Sequence, residues 1–153
     1  MQILPSSTLF CCTMNEVRSP MAEGIMKRFH GSRVFVDSVG VHLGKRDPFM
    51  VEVMKEIGVD MSQHKPKTFE SLTDDSFDFV ISLSTDAQRH ADDLTRYMHC
   101  DTRLWEIFDA TQVEGTREAC LGAYRQARDQ MQHRILELFP VLDCTKFFLN
   151  PPW

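Results

Sequence analysis

The residues with the clearest chemical potential are a cysteine and an arginine six positions apart, Cys12 and Arg18. The five residues between them allow a loop whose backbone N–H groups converge on one tetrahedral oxyanion. An arginine at the end of such a loop binds two oxygens of the anion in bidentate fashion, which a lysine does less well. The same positive surroundings favour the thiolate of Cys12, which is the form that attacks phosphorus. The pattern predicts a cysteinyl-phosphate intermediate that water then hydrolyses.

The residues of this C-x₅-R loop are the predicted binding site for the phosphoryl group, and Cys12 and Arg18 are its predicted catalytic members. Ser19 follows the arginine, and its hydroxyl can donate to the thiolate and stabilise it as the leaving group. The spacing alone is weak evidence, because five cysteines and eleven arginines in 153 residues give roughly 0.4 chance matches. The alternative is a buried strand-end cysteine and a surface arginine. The predicted binding residues are Thr13, Met14, Asn15, Glu16, Val17, Arg18 and Ser19.

This loop requires a strand that ends at the cysteine and a helix that begins after the arginine, and the sequence predicts both. Thr8–Cys12 is a short apolar run typical of a buried strand. Ser19 suits the N-cap of a helix, and Pro20 suits its first position. Further strands are predicted over 34–36, 77–83 and 102–105, and further helices over about 50–57, 86–97 and 120–138.

Strands that alternate with helices predict right-handed crossovers and parallel pairing. We therefore expect a three-layer α/β domain with a four-stranded parallel sheet flanked by helices. No repeat or linker divides the chain, so residues 1–153 are predicted to form one domain. In such sheets the ligand lies beyond the carboxyl ends of the strands, which is where the loop after Cys12 falls.

Charge and composition narrow the partners and the compartment. A net charge of −5 argues against nucleic acid, whose binders normally carry a basic face. No stretch approaches the roughly 18 apolar residues that span a bilayer, and the amino terminus lacks the basic and apolar regions of a secretory signal. Five cysteines without a C-x-x-C pair fit free thiols in the cytoplasm. We expect a cytoplasmic protein with no nucleic-acid or membrane partner.

Several stretches over nearly the whole chain match the signature of one known family. They are Leu9–Cys12 with the loop to Arg18, Ser19–Glu23, Asp37–Gly40, Glu56–Ser62, Phe77–Ile81 and the region from Trp105 to Asp109. In these stretches the chain resembles the low-molecular-weight protein tyrosine phosphatases. The resemblance implies a phosphotyrosine protein phosphatase I-like fold without metal or other cofactor. It also implies that the partner is a phosphorylated protein, a small phosphomonoester or inorganic phosphate.

The resemblance further implies that Asp109 is the general acid and base of the reaction. It would protonate the leaving oxygen first and activate water afterwards. The family usually has proline and then two aromatic residues after this aspartate, whereas this chain has Ala110, Thr111 and Gln112. The alternative role of Asp109 is to cap a turn, since aspartate favours turns. Asp101 is the main rival for the acid role.

Two residues of the loop also depart from the family pattern. Met14 stands where a glycine is common, so any backbone strain that glycine tolerates must be met differently. Glu16 stands where tyrosine-specific members usually have an apolar residue, and a carboxylate there favours a cationic or polar neighbour on the substrate. Both departures, with the missing aromatics, argue against strict phosphotyrosine preference. They also motivate a non-enzymatic alternative, in which the fold is a phosphate-binding module with little turnover.

The related thioredoxin-coupled arsenate reductases share the fold and the loop, so arsenate reduction is the rival enzymatic hypothesis. It requires further cysteines for a disulfide cascade, and the matching stretch Ser82–His90 contains none. The remaining thiols Cys100, Cys120 and Cys144 do not fall at those positions. Cys11 is interpreted as a core residue, because adjacent cysteines form a disulfide only with strain.

The other notable features are interpreted as structural. The Gly40–Asp47 segment, which includes Lys45 and Arg46, either flanks the pocket or forms a solvated turn. The apolar tail Phe147–Trp153 either packs back on the domain or is buried against a second copy in a homodimer. The six histidines lack metal-ligand spacing and are read as surface or core residues: His30, His42, His64, His90, His99 and His133.

Overall fold

The computed structural model describes residues 3–73 and 76–141. The predicted tail Phe147–Trp153 and Cys144 lie outside these residues. The strands are β1 (Ser7–Cys12), β2 (Phe35–Gly40), β3 (Phe79–Ser82) and β4 (Asp101–Leu104). They form one parallel sheet in the order β2-β1-β3-β4, which confirms the predicted α/β architecture.

Burial explains the order of the strands. The two central strands, β1 and β3, are the apolar ones, and nearly every residue in them is buried. The edge strand β4 is mostly exposed, as its more polar sequence requires. The strands β1 and β2 end together, because Cys12 is in register with Gly40. The carboxyl ends of the central strands thus open toward the loop that follows Cys12.

Helices cover both faces of the sheet. One face carries the larger apolar core, formed with three helices, and the other face packs against a single helix, Thr85–Thr95. No helix in the described part of the chain is long and apolar enough to cross a membrane. The helices are α1 (Arg18–His30), α2 (Pro48–Glu56), α3 (Thr85–Thr95) and α4 (Arg117–Leu138).

The start of α1 differs from the sequence prediction. The helix begins at Arg18, with Val17 as an N-cap residue that makes no side-chain hydrogen bond. Ser19 therefore lies inside the first turn, so the prediction that it is the N-cap was wrong, and Pro20 is not the first helical residue. The physical reason is that the Ser19 hydroxyl lies 2.9 Å from the Cys12 sulfur, so it contacts that atom instead of accepting a hydrogen bond from a backbone N–H of the helix.

The second strand also extends further than predicted. Asp37 and Ser38 are polar and suggest a loop, but they pair with Leu9 and Phe10 of β1. Pairing with a buried central strand overrides their weak strand propensity. This extension matters for the site because it carries Ser38 to the edge of the sheet where the loop lies.

Candidate active site

The loop that leaves β1 is held against the sheet by the segment that leaves β2. The backbone N–H of Val41 donates to the Cys12 carbonyl at 3.1 Å, and that of His42 donates to the Thr13 carbonyl at 2.9 Å. Gly40 lies so close that an added Cβ would be 2.7 Å from the backbone nitrogen of Asn15. The Gly40–Asp47 segment therefore flanks the loop.

Asn15 is the centre of the hydrogen bonds inside the loop. It is fully buried, and its φ of 54° lies in the left-handed region that asparagine tolerates. Its amide nitrogen donates to the hydroxyls of Ser19 at 2.8 Å and Ser38 at 3.0 Å. Its amide oxygen accepts from the backbone of Lys67 at 3.0 Å, and its carbonyl lies 3.1 Å from Nε2 of His64. These bonds join the loop, the strand β2 and the 64–67 segment at one residue.

The sulfur of Cys12 has two potential donors. Ser19 Oγ lies 2.9 Å from it, and the backbone nitrogen of Asn15 donates to it at 3.3 Å. The hydroxyl hydrogen of Ser19 has two acceptors within reach, the sulfur and the Val39 carbonyl at 3.4 Å, and the contact with the sulfur is the shorter one. The N-terminus of α1 begins six residues later at Arg18. The two donors and the positive N-terminus of α1 together favour the binding of an anion in this loop.

Arg18 spans two parts of the site. Its Nη1 donates to the carbonyls of Leu83 and Ile107, each at 3.3 Å, and its side chain is only 13% exposed. Its Nη2 lies 3.9 Å from Asp109 Oδ2 and donates to Thr13 Oγ1 at 3.5 Å. The guanidinium is thus held by carbonyls on one side and presented to the loop and the aspartate on the other.

Thr13 is tied to the start of α3. Its hydroxyl lies 2.9 Å from Asp86 Oδ1 and 3.1 Å from Ser84 Oγ. Burial opposes the ionised form of Asp86, but hydrogen bonds from Ser84 and Thr13 outweigh it, so the pKa of Asp86 lies below its usual value. The Asp86 carboxylate is therefore a fixed anchor for the loop residue beside the nucleophile.

Asp109 lies across the site at the start of a short 3₁₀ turn, Ala110–Gln112. Its Oδ1 accepts from the backbone nitrogen of Thr111 at 3.0 Å and from the Thr111 hydroxyl at 2.6 Å. The side chain is 33% exposed, whereas the neighbouring residues Ile107 and Ala110 are buried. Asp109 therefore caps a turn, as the alternative reading expected, and also faces Arg18.

A cavity of about 250 Å³ connects these parts. It brings together the predicted nucleophile, Arg18 and the predicted acid. Of the seven predicted binding residues, Asn15 and Ser19 are buried behind the loop, and the other five line the cavity. The lining residues are Cys12, Thr13, Met14, Glu16, Val17, Arg18, Asp109, Thr111 and Gln112.

The two departures inside the loop have clear outcomes. Among the described residues, Asn15 is the single non-glycine residue with a positive φ, so Met14 occupies the glycine position without left-handed strain. One carboxylate oxygen of Glu16 accepts from the backbone nitrogen of Lys45 at 2.8 Å. Glu16 thus lines the cavity while it ties the loop to the Gly40–Asp47 segment.

Two other candidates lie away from the cavity. Asp101 is at the amino end of β4, on the opposite edge of the sheet from the site, so it does not serve as the rival acid. Cys11 points to the other face of the sheet, where its sulfur lies 3.4 Å from Ser82 Oγ. Complete burial raises the pKa of the Cys11 thiol to about 12. This geometry confirms Cys11 as a core residue.

Sequence reasoning missed the residues that support the loop from a distance. Ser38, His64, Lys67 and Asp86 each contact a loop residue, and none was assigned a site role. Ser38 lies in a stretch that carried the family resemblance, which was the available signal. The other three come from two segments far from the loop in the sequence, so only the folded chain brings them to the loop. No group of three or more potential metal ligands occurs among the described residues.

Fold and site together define an α/β protein with a cysteine-containing oxyanion loop at the carboxyl edge of a parallel sheet. The family model described as low molecular weight phosphotyrosine protein phosphatase matches residues 7–143. The match covers most of the chain, so the protein belongs to the low molecular weight phosphotyrosine protein phosphatase family, as the resemblance implied.

Similar proteins include both reductases and phosphatases. An arsenate reductase of Bacillus subtilis (strain 168) is 32% identical over 129 residues, which are 84% of this chain and 91% of that protein. A solved arsenate reductase in the oxidized state has a TM-score of 0.74 at 25% identity, covering 87% of this chain and 95% of that chain. The tyrosine phosphatase Wzb from Escherichia coli K30, in complex with sulphate, has a TM-score of 0.69 at 22% identity, covering 88% and 98%. The last likeness concerns the fold alone.

Proposed function

We propose that residues 1–153 form one domain that acts as a cysteine-dependent phosphomonoester hydrolase in the cytoplasm, with phosphorylated protein or a small phosphomonoester as substrate. The observation that carries this proposal is one cavity lined by Cys12, Arg18 and Asp109. In that cavity the arginine and the aspartate lie 3.9 Å apart. A nucleophile, an anion clamp and a proton donor on one small cavity are the groups that this reaction needs.

Each residue has a role in the proposed reaction. The Cys12 thiolate attacks phosphorus while Arg18 and the loop N–H groups hold the phosphoryl oxygens. Asp109 protonates the departing oxygen, and Ser19 stabilises the thiolate when it leaves in the second step. Water, activated by the Asp109 carboxylate, then releases inorganic phosphate.

Turnover of p-nitrophenyl phosphate tests this proposal. We expect the wild type to hydrolyse it and Cys12→Ser to lose at least about 10⁴-fold in kcat, since the nucleophile is removed. A matched control is Cys100→Ser, which changes a cysteine on the far edge of the sheet. Retained phosphate binding without turnover by the wild type from about pH 5 to 7 would contradict the enzyme and favour the phosphate-binding module.

The polar walls of the cavity favour a substrate class wider than phosphotyrosine. Glu16, Thr111 and Gln112 line the cavity, and the aromatic pair that usually follows the aspartate in the family is absent at 111 and 112. Capture of phosphopeptides by a Cys12→Ser trapping variant tests this breadth. We expect peptides with polar or cationic residues beside the phosphate to be retained, whereas retention of phosphotyrosine alone would contradict it.

Arsenate reduction is the second candidate, and the similarity to the Bacillus subtilis arsenate reductase favours it. In that reaction the Cys12 thiolate bonds to arsenic and displaces an oxygen as water. A second thiol then attacks the Cys12 sulfur, the S–As bond breaks with its electrons going to arsenic, and arsenite leaves with a disulfide formed. In the matching stretch 82–90, the residue that contacts Thr13 is Ser84 rather than a cysteine. The neighbouring Cys11 lies on the other face of the sheet from the cavity.

Among the described residues, no cysteine besides Cys12 lines the cavity, so in this candidate reaction the second thiol comes from another molecule, such as glutathione with glutaredoxin. The decisive measurement is arsenate-dependent oxidation of that thiol, compared with phosphate release from p-nitrophenyl phosphate by the same preparation. Thiol oxidation without phosphate release would replace the hydrolase proposal with the reductase one. Phosphate release without thiol oxidation would exclude the reductase.

A further inference from the structure

The two carboxylate oxygens of Asp109 have different surroundings. Oδ1 accepts two hydrogen bonds from Thr111, one from its backbone nitrogen at 3.0 Å and one from its hydroxyl at 2.6 Å. Oδ2 lies 3.9 Å from Arg18 Nη2 and 3.5 Å from the side-chain nitrogen of Gln112. One oxygen is occupied by its neighbour in the turn, and the other is directed toward Arg18.

This asymmetry decides which oxygen carries the proton when Asp109 is a carboxylic acid. An oxygen that accepts two donors has no room for a third hydrogen, because the hydrogens would repel one another. The proton is therefore held on Oδ2, the oxygen on the side of Arg18. The Thr111 hydroxyl strengthens this choice, since the O–H···O contact is short and is directed at a single oxygen.

We propose that Thr111 is a positioning residue that reserves Oδ2 of Asp109 for proton transfer by occupying Oδ1 with its hydroxyl. This inference rests on the proposed hydrolase function. In the first step the Cys12 sulfur forms a bond to phosphorus, the P–O bond to the leaving group breaks, and the proton on Oδ2 passes to the departing oxygen. In the second step Oδ2 accepts a proton from water as that water attacks phosphorus, and the S–P bond breaks to restore the thiolate.

A mere turn cap does not account for the hydroxyl contact. Asp109 caps the 3₁₀ turn through the backbone nitrogen of Thr111, and any residue except proline supplies that donor. The hydroxyl is an additional donor that valine lacks. Gln112 lies 3.5 Å from Thr111 Oγ1 and can donate to it, which leaves the hydroxyl hydrogen for Asp109. The side chain of Thr111 therefore has a role that its backbone does not already fill.

The test compares two substrates that differ in how much they need an acid. The p-nitrophenolate ion leaves readily without a proton, whereas the phenolate ion from phenyl phosphate leaves slowly unless it is protonated. We expect Thr111→Val to lower kcat/KM about tenfold for phenyl phosphate and less than about threefold for p-nitrophenyl phosphate. The ratio kcat/KM is the correct readout because it reports the step in which the leaving group departs.

Two further variants separate positioning from a structural role. Thr111→Ser keeps the hydroxyl and is expected to retain most of the phenyl phosphate activity that valine loses. Thr102→Val makes the same substitution at an exposed position of β4 and is expected to leave both substrates unaffected. Equal losses on both substrates with Thr111→Val, or no rescue by serine, would show that the hydroxyl does not orient the acid.

The outcomes also distinguish this inference from the function on which it rests. A wild type that hydrolyses neither substrate overturns the hydrolase proposal and this inference together. A wild type that hydrolyses both, with Thr111→Val indistinguishable from it on phenyl phosphate, overturns the inference alone. A melting temperature for each variant confirms that the compared proteins are folded.

Discussion

The 12–18 loop and the 105–113 segment meet at one cavity but are held by different forces. The loop is held by hydrogen bonds from distant parts of the chain: Asn15 alone contacts Ser38, His64 and Lys67. The segment is held by buried apolar side chains, and its polar residue Asp109 bonds to its immediate neighbours. Arg18 connects the two regions through the Ile107 carbonyl and the Asp109 carboxylate.

From this difference we infer that the loop is the part of the site with a fixed shape and that the 105–113 segment is the part that sets the response to different leaving groups. A phosphoryl group must be met by several donors at once, so the loop that binds it needs a fixed shape. An acid needs one correctly oriented oxygen, and neighbours in the same turn can orient it. In the 105–113 segment, Thr111 and Gln112 stand where the family usually has two aromatic residues. We expect loop variants to affect all substrates alike and segment variants to affect them by leaving group.

The largest effect is expected at the residue that joins the two regions. Arg18→Lys removes the planar fork that holds two phosphoryl oxygens and loses at least one of the carbonyl contacts. We expect kcat/KM to fall about 10³-fold on both p-nitrophenyl phosphate and phenyl phosphate. Arg96→Lys, on an exposed ion pair of α3, is the control. Loss on phenyl phosphate alone would mean that Arg18 serves the acid rather than the anion.

The next effect is expected from removing the proposed acid, Asp109. Asp109→Asn keeps the size of the side chain but cannot deliver a proton. We expect kcat/KM for phenyl phosphate to fall about 10²-fold or more, and that for p-nitrophenyl phosphate to fall less. The measurement is the ratio of the two values in variant and wild type. An equal loss on both substrates would mean that variants of the 105–113 segment do not depend on the leaving group, and it would contradict the proposed difference between the two regions.

A smaller and uniform effect is expected from disturbing the loop without touching a reacting group. In Gly40→Ala the new methyl would lie 2.7 Å from the backbone of Met14 and Asn15, so the loop must shift. We expect about tenfold lower kcat/KM on both substrates. Gly122→Ala is the matched control, because a Cβ there meets nothing within 4 Å. A leaving-group dependence in Gly40→Ala would contradict the assignment of the loop to anion binding.

The smallest effect is expected on the stability of the fold, at Glu56, which lies outside both regions. Measuring it shows how much of any loss of activity at low pH comes from unfolding. Hydrogen bonds from Arg125 and then Arg128 lower the pKa of Glu56 from 4.5 to about 2. Because the folded pKa lies below the unfolded one, this stabilisation is complete above about pH 4.5 and is lost as pH falls toward 2. The Glu56 side chain is 36% exposed, so we expect less than about 1 kcal/mol.

The measurement is the free energy of unfolding of wild type and Glu56→Gln. The difference between the two is expected to shrink as pH falls from about 6 to about 3. Glu114→Gln, at an exposed position between the Ala110–Gln112 turn and α4, makes the same change of net charge and is the control. A difference that stays constant over this range would mean that the ion pairs of Glu56 do not contribute.

Much of the architecture could be predicted because local patterns carry it. The apolar runs at Thr8–Cys12 and Phe77–Leu83 predicted the two central strands, and helical stripes predicted α2 and α4. The start of α1 was predicted wrongly because the preference of serine for N-cap positions is a local property. It contains no information about the tertiary contact between the Ser19 hydroxyl and the Cys12 sulfur. The strand over Phe35–Gly40 was predicted too short because its polar residues are strand-forming only beside β1.

The sequence by itself determined which reactive groups are present. They are a cysteine and an arginine at oxyanion-loop spacing, a serine beside them and an aspartate late in the chain. It could do so because residue type and short spacing are local properties. The tertiary structure decided which groups hold that loop and where the aspartate faces. His64, Lys67 and Asp86 reach the loop only because strands and helices far apart in the chain converge at one edge of the sheet. Sequence distance carries no information about such contacts, so folding alone makes Asn15 the centre of the site and directs Oδ2 of Asp109 at Arg18.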